Sequence, residues 1–471
     1  LWKKRRVSVL KKTVFLSSLI GFASLFFFSY APAVSLYDDF STEEIDQTRW
    51  KQGLLVREID ALSSKLCMKA ETPSSVLMKE FPYSVQNELG LRDPDSVTSL
   101  QAEVTVLETR LEGSARAYAF LGGRFYNVSA GTHDTYLGDV YAEVSIRETG
   151  KGLEARWYIG KYRTAKAKLW DMASRALPVT IEYGKPYTLS IEFDADARRF
   201  TFKAGSATAT YGPLGIPKNP KGAVKAWKAL GVTARAYREK EKAFISATFD
   251  DVQVNGAPYE DFSSPRIDET KWVTYEYVRE IKEGQFRCMT RGSTGSTDTV
   301  NSYLSVKSPK SVEALQATVT LVGWEASGGA SAFARLGGNF YNDGTEGKGF
   351  KGEIGATVTI GGSDVNPKGE WSVLRFNDKE GNIELAEIIA SGEFSTPVAV
   401  GDTYTLFLQW DGSRFTFILN DEEVEYVPDP KSIRHPSRQP WRGLGCGVWF
   451  NIEGQEASVE AAFDNVMVGL R

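Results

Sequence analysis

Apolar and polar residues alternate one for one along most of this chain. The segments "SLQAEVTVLETRL" (Ser99–Leu111), "TLSIEF" (from Thr188), "RFTFKA" (from Arg199), "TLFLQW" (from Thr405) and "RFTFILN" (from Arg414) keep this two-residue period. Such a period turns one side of a strand to a core and the other to water. Turn residues in "FDADARRF" and "WDGSRF" separate consecutive runs, which predicts hairpins. The proline-rich stretches "YGPLGIPKNPKG" (Tyr211–Gly222) and "YVPDPKSIRHPSRQP" (Tyr426–Pro440) predict loops, and "GAVKAWKAL" (Gly222–Leu230) predicts one short helical turn. Two antiparallel sheets packed face to face are the expected outcome.

The pattern is written twice. "YDDFSTEEIDQTRW" (Tyr37–Trp50) returns as "YEDFSSPRIDETKW" (Tyr259–Trp272), "LQAEVTV" (from Leu100) as "LQATVTL" (from Leu315), and "LGGRFYN" (from Leu121) as "LGGNFYN" (from Leu336). "YTLSIEFDADARRFTF" (from Tyr187) matches "YTLFLQWDGSRFTF" (from Tyr404), and "ISATFDDVQVNG" matches "VEAAFDNVMVG". The period is too long for a solenoid unit and suits a whole β-domain. The expected domains are 37–256 and 259–471, with Asn255–Pro258 as a linker of little slack.

The first 33 residues read differently. "KKRR" and "KK" precede an apolar run that ends in small residues at Ala31 and Ala33, the plan of a secretory signal peptide. The run is also near the length of an N-terminal membrane anchor. Residues 1–33 hold six basic and no acidic residues, so the net charge of the rest is −10 rather than −4. An exported, mildly acidic protein at the periplasm, cell surface or outside the cell is expected, with no nucleic acid as partner. The three cysteines, Cys67, Cys288 and Cys446, lack metal-ligand spacing. Cys288 and Cys446 could bridge within the second copy, or all three could be small apolar core residues. With only His133 and His435 in the chain, histidine chemistry has little to draw on.

The opening "DDFS…ID…RW", the late "YTLSIEFDADARRFTF" and the closing "ATFDDVQV" resemble the concanavalin A-like lectin/glucanase (laminin G-like) jelly-roll superfamily over both copies. The resemblance implies two tandem concanavalin A-like β-sandwiches. It implies a choice among lectins, carbohydrate-binding modules, glycoside hydrolases and adhesive modules. The glucanases of this superfamily carry E-x-D-x-E on one strand, so that alternate carboxylates share a face. "REIDALS" offers Glu58 and Asp60 but Ser63 in the last place, "REIKEGQ" has Lys282, and "EEIDQTRW" has Arg49. In "GDVYAEVSI", Asp139 and Glu143 share a strand face, with no equivalent pair in "GEIGATVTI"; solvated strand charges are the plain alternative. The motif of a glucanase is not found, so no catalytic residue is expected.

Sugar binding needs flat aromatic faces beside fixed polar groups. Both copies repeat such sites: Tyr126 and Asn127 with Tyr341 and Asn342, Trp157 with Trp371, and Trp227 with Trp441. Trp50 and Trp272 read as core, Trp157 and Trp371 as core or platform, and Trp227 and Trp441 as partly exposed loop residues. Around the last pair, Lys218, Lys221, Lys225 and Lys228 answer Arg434, Arg438 and Arg442, which would favour an anionic glycan if they faced one way. At the domain ends, Asp39 with Asp250 and Asp261 with Asp464 would meet if first and last strands pair. The resemblance implies a structural Ca²⁺ there, with turn-capping aspartates as the alternative. The expected function is non-catalytic binding of a polysaccharide or envelope glycan by both copies. A structural or adhesive envelope protein that binds other proteins is the second reading, and a glycoside hydrolase the third.

Overall fold

The alternating segments are strands. The computed structural model describes residues 34–470 apart from 74–81, 129–134, 165–167, 213–215, 219, 294–298, 364–365, 383–384, 451 and 453; the signal segment and His133 lie outside the described residues. The first half holds β1 (Val34–Asp38), β2 (Leu55–Asp60), β3 (Lys65–Glu71), β4 (Tyr83–Gly90) and β5 (Ser99–Leu111). It continues through β6 (Arg116–Asn127), β7 (Asp139–Glu148), β8 (Leu153–Tyr162), β9 (Leu169–Thr180) and β10 (Tyr187–Asp194). β11 (Arg199–Ala204), β12 (Ala207–Tyr211), β13 (Lys221–Ala236), β14 (Ala243–Val254) and β15 (Ala257–Glu260) follow. The second half holds β16 (Tyr277–Lys282), β17 (Gln285–Ser293), β18 (Thr299–Ser305), β19 (Val312–Ala326), β20 (Ser331–Asn342) and β21 (Glu353–Gly362). It ends with β22 (Lys368–Arg375), β23 (Glu387–Glu393), β24 (Thr403–Trp410), β25 (Phe415–Leu419), β26 (Glu422–Tyr426), β27 (His435–Trp449) and β28 (Glu456–Leu470). A 3₁₀ turn spans Pro309–Ser311, and among the described residues no helix is long and apolar enough to cross a membrane.

One 16-stranded antiparallel sheet runs β12-β11-β10-β5-β14-β3-β2-β16-β17-β28-β19-β24-β25-β26, with β1 on β28 and β15 on β14. Two six-stranded sheets, β4-β13-β6-β7-β8-β9 and β18-β27-β20-β21-β22-β23, each pack on one half of it. The fold is all-β, sheet on sheet. The expected helical turn at Gly222–Leu230 is instead part of β13: Trp227–Leu230 pair with β6, and Ala229 and Leu230 also pair with β4, so neighbouring strands take the backbone hydrogen bonds there. Much of the second proline-rich stretch is likewise strand. Pro436 and Pro440 sit in β27 beside the bulge opposite Asn339 and Tyr341, where ladder hydrogen bonds are interrupted.

The two halves are laced together by their opening motifs. Phe40, Ile45 and Trp50, with Leu54, Val56 and Phe244, lie in the core built mainly from the second half, whereas Phe262, Ile267 and Trp272 lie in the core of the first. Trp50 stacks on Phe40, which contacts Phe286, and its indole N–H donates to Asp38 at 2.6 Å. The backbone repeats the exchange: Lys51 N–H donates to the Ser305 carbonyl at 2.9 Å, and Val273 N–H to the Gly90 carbonyl at 2.9 Å. Asn255 and Gly256, both at positive φ, form the two-residue turn of the β14–β15 hairpin. That segment is therefore a tight turn, and the chain crosses between the halves after Trp272.

A short seam joins the two halves of the long sheet, with Leu55, Val56 and Arg57 opposite Arg279, Val278 and Tyr277. Arg57 Nε donates to the Tyr275 carbonyl at 2.6 Å, and Arg279 Nε to the Gly53 carbonyl at 2.7 Å. Beside the seam, Arg287 pairs with Glu58 at 2.8 Å, with Glu460 at 2.7 Å and with Glu280 at 3.3 Å, while Lys69 reaches Glu280 at 2.6 Å. Glu58 thus holds two halves together, and Asp60 caps a turn through Leu62 N–H and Ser63.

Candidate functional site

The outer face of the first six-stranded sheet is an open groove of about 1370 Å³. Strand register sets its side chains in rows. Gln86, Thr233, Tyr118, Arg147 and Glu154 form one row across five strands; Gly90, Ala229, Gly122, Glu143, Tyr158 and Ser174 form another. Next to it run Trp227, Arg124, Tyr141, Gly160 and Asp171. Tyr136, Tyr162 and Tyr237 complete an aromatic lining at the two ends.

Two glycines let the tyrosines lie down. A Cβ at Gly122 would come within 2.7 Å of the Tyr141 hydroxyl, and one at Gly160 within 2.4 Å of the Tyr158 hydroxyl. The rings are then fixed by hydrogen bonds. Tyr141 donates to Glu143 at 2.7 Å, Tyr158 donates to Asp171 at 2.7 Å, and Arg147 donates to Glu143 at 2.6 Å. Burial, then the neighbouring Glu143, push the Tyr141 phenol well above its ordinary value, so it remains a neutral donor. Burial also holds the Glu88 carboxyl above the usual carboxylate range. Cations sit over the rings: Arg124 over Tyr136 (4.7 Å) and Trp227 (5.7 Å), and Arg147 over Tyr118 (4.9 Å). Flat apolar faces with oriented hydroxyl, carboxylate and guanidinium groups between them suit a ring-shaped polar ligand.

The residues singled out from the sequence are scattered. Trp227 is on the groove, in β13, and Trp441 is at the matching place in β27; neither is in a loop. Trp441 Nε1 donates to Ser305 at 2.7 Å. Tyr126 and Tyr341 point into the sandwiches, stacked on Phe193 at 5.0 Å and Trp410 at 4.8 Å. Trp157 and Trp371 do likewise, against Phe202 and Phe417. These four rings fill cores.

Asn127 and Asn342 recur for another reason: each amide donates to a buried carboxylate, Asp139 at 2.8 Å and Glu353 at 3.0 Å. Asp139 also accepts from Val224 and Lys225 N–H, and Glu353 from Arg438 N–H, so each clamps a bulged strand start. Asp139 therefore has a counterpart in the second half and is a scaffold carboxylate, whereas Glu143 is on the groove floor.

The basic residues divide as well. Lys228 and Arg442 are buried. Lys228 donates to the Pro94 and Arg124 carbonyls at 3.0 and 2.8 Å; Arg442 donates to the Val312 carbonyl at 3.0 Å. Burial lowers Lys228 to about 8 and Arg442 to about 9. Neither side chain faces solvent.

At the domain ends, each first strand pairs with the last strand of the other half, so Asp39 does not meet Asp250, nor Asp261 Asp464. Asp39 and Asp261 accept from Ser41 and Ser263, Asp250 pairs with Lys65 at 3.4 Å, and Asp464 caps Asn465 N–H. Among the described residues no group of three or more candidate ligands could hold a metal ion. All three cysteines are free. Cys288 and Cys446 are in contact, each thiol donating to a backbone carbonyl (Ser302 at 3.0 Å, Cys288 at 3.2 Å).

The matching face of the second half is stripped. Where the first half has Tyr141, Glu143, Arg147 and Tyr158, the second has Gly355, Thr357, Gly361 and Ser372. Glu143 was singled out only beside Asp139, as a carboxylate pair, while Tyr118, Arg124, Tyr141 and Tyr158 escaped the sequence reading because they are not repeated; their odd-numbered or even-numbered alternation along β6, β7 and β8 was the available signal.

No family model and no curated protein matches this chain. Among solved structures, it is similar to domains LG4-5 of the mouse laminin alpha1 chain at 11% identity, covering 81% of this chain and 84% of that one, with a TM-score of 0.21. An endo-acting O-glycanase from the human gut microbiota is 13% identical over 48% of this chain and 93% of its own, with a TM-score of 0.23. A Trypanosoma rangeli sialidase mutant is 9% identical over 93% and 95%, with a TM-score of 0.21.

Proposed function

We propose that this chain binds an extended glycan along the outer face of the β4-β13-β6-β7-β8-β9 sheet, and that its two halves are concanavalin A-like sandwiches of which the first carries the site. The supporting observation is the row of planar rings over glycines, a set of side chains in which Tyr141 and Arg147 are held by Glu143 and Tyr158 by Asp171. The second half keeps the same strands without that set, so the set is not a requirement of the fold. Export to the cell envelope or beyond belongs to the same proposal.

A glycan array with the full chain tests it, followed by Trp227→Ala and Trp441→Ala. An indole stacked on a sugar contributes roughly 1–2 kcal/mol, so Trp227→Ala should weaken binding by about tenfold while Trp441→Ala leaves it unchanged. Equal losses from both variants, or a silent array, would count against the reading. Turnover has one observation in its favour: Glu88, its carboxyl held up by burial as a proton donor requires, lines the same groove as Glu143. Release of new reducing ends from a bound glycan, lost in Glu88→Gln, would mark a hydrolase.

A further inference from the structure

The groove holds more positive charge than its own carboxylates engage. Arg147 is neutralised by Glu143 and Arg156 by Glu154 at 2.9 Å. Arg116 and Arg235 are not paired in this way. They stand directly opposite each other on β6 and β13, and both lie over the Tyr237 ring, at 5.2 and 5.0 Å. Among the described residues neither has a carboxylate partner, and Arg235 Nε is buried without a hydrogen bond. Like charges directly opposite on neighbouring strands are destabilising, and a buried guanidinium N–H left unpaired adds to the cost. The fold does not demand the arrangement, because the same two places in the second half are Ser331 and Trp449. At the other end of β6, Arg124 repeats the situation. It is flanked by Tyr136 and Trp227, and its Nη1 is buried without a partner. Arg116 and Arg124 are eight residues apart on one strand, or roughly 26 Å at about 3.3 Å per residue.

We infer that the glycan bound in this groove is anionic, with Arg116 and Arg235 taking a carboxylate or sulfate group at one end and Arg124 another towards the far end. The inference rests on the glycan reading above. A guanidinium presents parallel N–H donors that match a planar carboxylate or two oxygens of a sulfate, and rings stacked on it hold the fork in place. Such a ligand would give the groove-facing N–H groups of these arginines an anionic acceptor and would offset the repulsion between the two opposed cations.

Calorimetry of the full chain with two matched pairs tests this: polygalacturonate against its fully methyl-esterified form, and dextran sulfate against dextran. The first pair reports a carboxylate and the second a sulfate. The anionic member of one pair should bind at least about tenfold more tightly than its neutral partner and weaken with added salt. Arg116→Gln, at an exposed position, and Arg235→Gln should each lower that affinity by about tenfold to a hundredfold, whereas Lys221→Gln with Lys225→Gln should leave it unchanged. Equal binding of neutral and anionic members, or array hits confined to neutral glycans, overturns the anionic inference and leaves the glycan reading standing. Loss of binding in the lysine variant but not in the arginine variants also overturns it, by placing the anion outside the groove. Silence on all four polymers and on the array sinks both.

Discussion

Replacing Trp272 with alanine should loosen the half of the molecule to which Trp272 does not belong by sequence. Its indole is fully buried in the first core, in edge contact with Tyr259 at 5.4 Å and stacked on Phe262 at 6.2 Å. A buried tryptophan removes roughly 150–250 Å² from water, or about 4–6 kcal/mol at ~25 cal/mol per Å². Measured truncations of this kind cost about 3–5 kcal/mol, because the surroundings relax in part. Little is added by the lost hydrogen bond: the indole N–H is 3.4 Å from Glu260, which keeps Lys271 at 3.3 Å. We therefore expect about 4 kcal/mol, a large share of the 5–15 kcal/mol that holds a typical domain. Hydrogen exchange resolved by peptide is the assay. Protection should fall first in β3, β5 and β14, whose Met68, Val104 and Phe249 share the core with Trp272, while β17, β19 and β28 change least. Trp50→Ala should do the reverse. If Trp272→Ala loosened β17, β19 and β28 and spared the first half, each opening motif would belong to its own repeat and the exchange would be wrong.

The same exchange predicts that fragments 34–256 and 257–471 do not fold cooperatively when made separately but regain a cooperative melt when mixed, since each lacks the motif that closes its core; two independent melts would contradict this. Lys228 gives a pH signature. Its native value of about 8 lies below the roughly 10.4 of an unfolded chain, so between these pH values the unfolded state binds more protons and stability should rise, by about 3 kcal/mol. Denaturant melts at pH 7.5 and 10 should show the rise in the parent protein and its absence in Lys228→Met. Towards acid, Glu241, held at about 2 by Ser114 and by the Tyr237 and Arg238 N–H groups, should stabilise the fold above the ordinary glutamate range and lose that contribution as pH falls towards 2; Glu241→Gln should flatten that limb. Finally, because Asp39, Asp250, Asp261 and Asp464 each have a partner within the protein, excess chelator should leave the melting temperature unchanged, and a fall restored by Ca²⁺ would reinstate a metal at the domain ends.

The two-residue period by itself determined that this chain is strand nearly throughout, because alternation can bury only one face of an extended segment. The internal repeat determined that two similar halves exist, and the invariance of Trp50 and Trp272 within it marked them as core. What repetition could not tell is which half each motif serves. Tyr37–Trp50 and Tyr259–Trp272 are nearly the same sequence, so either fits either core, and the choice fell to the seam at β2 and β16 and to the Asn255–Gly256 turn that keeps the second motif beside β14. Repetition also misdirected the search for a site. Tyr126, Asn127, Trp157 and their counterparts recur because cores and clamps are needed twice, whereas Tyr141, Glu143, Arg147 and Tyr158 occur once because the groove does. Those four come from β7 and β8 and meet Arg124 and Trp227 from β6 and β13 only through sheet register. Along β6, β7 and β8 the register follows from consecutive strands and their turns, but β13 joins β6 from far along the chain, and no local pattern of residues encodes that pairing.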